Sequence, residues 1–155
     1  MRHLFAAILL ILTCTTAHAE MTERDGWSVT RTAKPFTRLV GDVKSAAKAN
    51  KMGVVTQAGP TGAAKKRGIT IPGNRVIGLF NNVYAVSILN LSTAAMIEAP
   101  IRMYVTENED GTATLSYKLP STVFAPYTDE AGPELIKLAD ELDSIFAAIS
   151  SDAAN

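Results

Sequence analysis

Between Ile101 and Leu119 the apolar residues recur at every second position, on both sides of the polar tetrapeptide Asn108-Glu109-Asp110-Gly111. Ile101, Met103 and Val105 fall to one side, Arg102, Tyr104 and Thr106 to the other; after the turn Ala113, Leu115, Tyr117 and Leu119 continue the apolar set. A repeat of two is the repeat of side chains along a strand, so this stretch is predicted to be a β-hairpin with one buried face. That face must be covered by something else in the chain, which restricts what the remaining segments can be.

The cover is predicted from segments with the other period. In "PFTRLVGDVKSAAKANKMG", Phe36, Leu39, Val40, Val43 and Ala47 recur at three- and four-residue spacing, which predicts a helix opened by Pro35 and stopped between Asn50 and Gly53. Asn81 and Asn82 are placed to cap a second helix, Val83 to Leu91, because an Asn side chain accepts a bond from unpaired backbone amides. Leu135, Leu138, Leu142, Ile145, Phe146 and Ile149 form the stripe of a last helix that keeps Lys137, Asp140, Glu141 and Asp143 in water. "WSVTRT", "VVTQ" and "RVIGLF" read as further strands, the last one following the turn Pro72-Gly73-Asn74. The segment from Ala58 to Gly68 is a Gly- and Pro-punctuated loop or short basic helix. Together these elements predict an α+β fold: a two-layer sandwich with a mainly antiparallel sheet and helices packed on one face. The other sheet face is then solvated, shared with a second subunit, or hollowed into a pocket.

The chain begins with Met1-Arg2-His3 and an unbroken apolar run from Leu4 to Leu12. That run is far shorter than the roughly 20 apolar residues that span a bilayer. It leads to Ala17-His18-Ala19, the small-x-small pattern at which a secretory signal peptide is cut. Residues 1–19 are therefore expected to be a cleaved signal peptide, residues 20–155 a single domain, and the location periplasmic or secreted. The rival is a lipoprotein with Cys14 as its first mature residue, but Thr13 is a poor fit to the very small residue such a site requires.

Cleavage after Ala19 removes the only cysteine, Cys14, and both histidines, His3 and His18. The mature chain then has no Cys nucleophile, Ser-His dyad, disulfide framework or Cys/His metal site. It also lacks the side chain whose ordinary pKa lies nearest neutrality, so acid-base chemistry would fall to a carboxylate, Lys or Tyr. Fourteen basic residues remain against fifteen acidic ones, a net charge of −1. A nucleic-acid binder calls for a basic excess, which is missing. No later apolar run is long enough for a membrane span, and no cofactor or metal is expected.

Local motifs narrow little further. An EF-hand register anchored on Gly111 places Thr106 and Tyr117 at ligand positions that need carboxylates, so "TENEDG" is a plain turn. "AGPTGAAKKRG" lacks the spacing of a phosphate-cradling loop, leaving Lys65, Lys66 and Arg67 as a candidate anion-binding group on a solvated segment. Tyr84, Tyr104, Tyr117 and Tyr127 are either rim packing or the lining of a pocket for an organic ligand.

The order of "GLFNN", a helix, and "EAPIRMYVTENEDGTATLSYKLP" resembles the bacterial and archaeal domain-of-unknown-function family 302. Phe80, Asn81 and Asn82, then Glu98, Ala99 and Pro100, then Glu109, Asp110 and Gly111, then Ser116, Tyr117 and Pro120 stand at the family's patterned positions. The resemblance runs from about Trp27 into the final helix. It implies a small α+β fold of one sheet backed by helices and a tendency to homodimers, and it implies no activity. The chain departs from the pattern where "TQAGPTG" stands in place of an Asp-His pair, and where Asn81 replaces a glycine.

These features favour a noncatalytic small-molecule-binding or accessory module. Its ligand, a small organic or anionic compound, is expected near the Asn81/Asn82 helix start and Tyr117. The alternatives are a structural domain whose sheet face is closed by a partner protein, and an enzyme with Glu98 and Lys118 as its acid-base groups.

Overall fold

The structure is a computed structural model that describes residues 21–155; the expected signal peptide, Cys14 and Ala17-His18-Ala19 lie outside the described residues. Five strands form one sheet: β1 (Trp27–Pro35), β2 (Gly53–Ala58), β3 (Asn74–Phe80), β4 (Ile101–Glu107) and β5 (Thr112–Lys118). Their order is β1-β5-β4-β3-β2, and every neighbouring pair is antiparallel. The helices are α1 (Phe36–Ala49), α2 (Thr61–Lys66), α3 (Asn82–Leu91), α4 (Pro120–Phe124), α5 (Thr128–Ala131) and α6 (Pro133–Ala154). The fold is α+β, as the two periodicities require. None of the described helices is long and apolar enough to cross a membrane.

The core lies on one face of the sheet. The alternation of β4 buries Ile101, Met103 and Val105, and their partners Ile77, Leu79, Leu115 and Tyr117 share that face. Against it pack Leu39 and Val43 of α1 with Leu135, Leu142, Phe146 and Ile149 of α6, all within one apolar cluster. Removing such side chains from water is the main favourable contribution to folding.

At the β4–β5 turn, Gly111 adopts φ 79°, a left-handed conformation that side-chain-bearing residues rarely tolerate. Asp110 closes the turn. Its carboxylate accepts bonds from the Thr112 hydroxyl and amide and from Arg31. Those bonds, Thr112 first and then Arg31, hold its pKa at about 2, below the ordinary 3.8. Because they favour the ionised form in the folded state, their stabilisation is full above about pH 4 and is lost as the pH falls towards about 2. Asp110→Asn should therefore shrink the drop in thermal midpoint between about pH 4 and pH 2; an unchanged acid limb would show that the turn's bonds do not couple to folding.

Local expectations are corrected or refined at three points. Pro35 opens α1 from its N-cap and also ends β1, its φ of −68° and ψ of 153° being extended. A proline fits there because β1 is an edge strand and α1 needs no amide from the residue before it. Asp143 is half-buried rather than fully wet, because its carboxylate accepts from the Ser121 amide and hydroxyl at 2.9 and 2.6 Å and so holds the start of α4. The return strand stops at Lys118, one residue short of the expected Leu119, which stands at the N-cap of α4; residues 120–131, where the sequence shows no period, form α4, α5 and a 3-10 turn at Ala125–Tyr127.

Candidate functional site

With the large helices on one face, the opposite face of the sheet carries the other half of each strand's alternation. Register fixes its neighbours. Trp27 of β1 lies opposite Lys118 of β5, and Arg102 of β4 lies opposite Gly78 of β3. Lys118 and Arg102 each stand one residue beyond the pair Tyr117 and Met103, so the two cations face one another across adjacent strands. The next row runs Val29, Ser116, Tyr104, Val76. Thus one row offers an aromatic ring, two cations and a glycine, and the next offers mainly apolar surface.

A cavity of about 380 Å³ opens over these rows. Trp27, Lys118, Arg102, Tyr104, Val76 and Asn74 line it from the sheet; Ile101, Glu98 on the 3-10 turn Ala95–Glu98, and Val123 of α4 complete its wall. Its volume falls within the range of small-molecule sites. A groove of about 440 Å³ beside Lys34, Arg38 and Asp42 is larger. There, however, the charges already satisfy one another, with Lys34 and Arg38 at 2.8 and 3.0 Å from Asp42, whose pKa is lowered chiefly by the Lys34 bond. It offers little to a ligand.

The cavity's cations differ in this respect. Among the described residues, neither Lys118 nor Arg102 forms an ion pair. The Lys118 ammonium stands 5.7 Å from the centroid of the Trp27 ring, and the Arg24 guanidinium lies 5.2 Å from it. Like charges directly opposite on neighbouring strands destabilise a sheet. Glu98 accepts a hydrogen bond from the Tyr127 hydroxyl at 2.8 Å. That bond, reinforced by desolvation and by the Glu98 and Glu130 charges, raises the Tyr127 pKa above its ordinary value. Tyr104 is oriented by Asn74, whose side-chain amide donates to its hydroxyl.

The residues singled out from the sequence are dispersed. Tyr117 borders the cavity but is only 3% exposed; its ring sits on the core side, 5.5 Å from Phe146, and burial raises its pKa. Asn81 caps α3, accepting from the Val83 amide at 2.9 Å and donating to the Lys51 carbonyl at 3.0 Å, so its side chain is engaged on both atoms. Asn82 is exposed in the first turn of α3. Lys65 and Lys66 end α2, with Arg67 at its C-cap, all exposed. Neither the Asn pair nor the basic triplet lines the cavity. Glu98 and Lys118, named for acid-base chemistry, do come together in it. No local motif marks Trp27 or Arg102 as a site residue. The signal for Arg102 was present in the β4 alternation, which turned it away from the core together with Tyr104.

The described chain matches the family described as "Domain of unknown function DUF302" over residues 27–149. The chain belongs to the DUF302 family. A solved relative has the same fold: the uncharacterized conserved protein DUF302 from Bacillus stearothermophilus aligns with a TM-score of 0.73 at 16% identity, over 85% of this chain and 100% of that one. No curated protein matches the chain. At this identity the solved DUF302 structure speaks to fold alone. The Trp27–Lys118–Arg102 row therefore has to be interpreted from this chain's own chemistry.

Proposed function

We propose that this DUF302 protein is exported and binds a small organic anion, without transforming it, in the cavity on the open face of its sheet. The observation that carries this is the pair Lys118 and Arg102, adjacent, without a protein counter-charge, and beside the Trp27 ring. An anion there relieves the repulsion between the cations, and Arg102 can hold a carboxylate through two parallel bonds. Val76, Ile101 and Val123 would meet the ligand's apolar body. Export rests on the Leu4–Leu12 run and Ala17-His18-Ala19.

Trp27 is the only tryptophan in the chain, so intrinsic fluorescence reports on this cavity directly. Titration with carboxylates bearing an apolar body is expected to change that fluorescence saturably, and the apparent affinity should fall as salt rises. No saturable response to any such acid would remove the basis for the proposal. A second reading, acid-base catalysis by Glu98 and Lys118, is favoured by their meeting in the same cavity. Incubation followed by recovery of the chemically unchanged ligand supports simple binding; a product in its place supports catalysis.

A further inference from the structure

The cavity presents both signs of charge and does not let them neutralise each other. Glu98 lines the same space as Arg102 and Lys118, yet among the described residues it forms an ion pair with neither. Its side chain is held instead by the Tyr127 hydroxyl, which donates to Oε1 and leaves Oε2 uncommitted. Lys118 is likewise engaged, its ammonium standing over the Trp27 ring. Arg102, exposed and without an ion pair, is the more available of the two cations. Val76, Ile101 and Val123 line the same cavity.

We infer that the ligand is a zwitterion, a free α-amino acid with an apolar side chain. Its carboxylate is held by Arg102 with Lys118 beside it, its ammonium donates to Glu98, and its side chain lies on the apolar wall. This rests on the organic-anion reading above and adds a second charge to it. A ligand bearing only a carboxylate leaves Glu98 facing an anion without compensation; one bearing only an ammonium leaves Arg102 and Lys118 without compensation. The amino acid satisfies both, and a charge that the ligand covers and leaves unpaired is what makes an analogue lacking the matching group bind poorly.

The test uses two matched sets on the full mature protein, followed by calorimetry and by Trp27 fluorescence. One set is L-phenylalanine, 3-phenylpropanoate and 2-phenylethylamine; the other is L-leucine, 4-methylpentanoate and 3-methylbutylamine. Each amino acid is expected to bind at least about tenfold tighter than its deaminated acid, with the amine weakest, since a charge-assisted bond contributes that much. In Glu98→Gln the ratio of amino acid to acid should fall to about one. Acids that bind as well as or better than the amino acids overturn the inference and leave the anion reading standing. Failure of all six probes to bind overturns both, as would amines that bind tighter than the acids. A ratio that survives Glu98→Gln in a normally folded variant removes Glu98 from the site, and the wild-type comparison holds whether or not that variant folds.

Discussion

Phe146→Ala lowers the unfolding free energy by about 3–5 kcal/mol, the range seen when a large aromatic is deleted from a core that cannot collapse around the gap. Phe146 is 0% exposed, projects from α6 beneath β5, and meets the Tyr117 ring at a centroid distance of 5.5 Å and a tilt of 53°. Both neighbours resist closing the space, because α6 is fixed by Leu142 and Ile149 in the same cluster and β5 is paired on both sides. Total stabilities of 5–15 kcal/mol are usual, so roughly a fifth or more of the margin goes. The thermal midpoint should fall by about 10–15 °C for a domain of this length. Urea unfolding followed by Trp27 emission measures it, with Phe146→Leu, a smaller change in volume, expected to cost about 1.5 kcal/mol or less. If Phe146→Ala costs under about 1 kcal/mol, the α6–β5 contact is not the centre of the core. The ring also supports the strand that ends in Lys118, so the same variant should blunt the binding response.

The sequence displayed the core better than the site, for a physical reason. Burial leaves a local trace: Ile101, Met103 and Val105 alternate within seven residues, and the stripe of α6 recurs every third or fourth position. The site is assembled from pairings remote in sequence. Trp27 meets Lys118 only because β5 inserts between β1 and β4, an order that no local period encodes. Alternation did say that Arg102 and Tyr104 face away from the core; which residues share that face depended on register. The elements within residues 120–131 leave no trace of this kind because helices of four or five residues show no period, although Pro120 and Pro133 occupy the first helical positions that prolines favour. Asn81 has the chemistry its position suggests, hydrogen bonding at a helix start, but its capacity is used within the fold itself.

A residue kept for a ligand rather than for the fold should separate binding from stability, and Arg102 allows the sharpest such test. Arg102→Glu is expected to weaken binding of the organic acid by about a hundredfold or more, since it removes a charge-assisted bond and places a carboxylate beside Glu98 against the incoming anion. Stability should move the other way. In the wild-type sheet Arg102 faces Lys118 with no carboxylate between them, whereas the variant places opposite charges across the two strands, worth about 0.2–1 kcal/mol. Gly78, the partner of Arg102 on its other side, has no side chain to be disturbed; its place is filled by Thr56 and Pro100, so close that a Cβ there would meet the Thr56 hydroxyl at 2.1 Å. Fluorescence titration and a thermal melt on the same preparation read both effects. Lost binding with a midpoint held or raised identifies the cation pair as a site maintained at a cost to the fold. A midpoint that drops by several degrees would mean instead that the aliphatic stem of Arg102 covers the sheet, and that the cations serve packing.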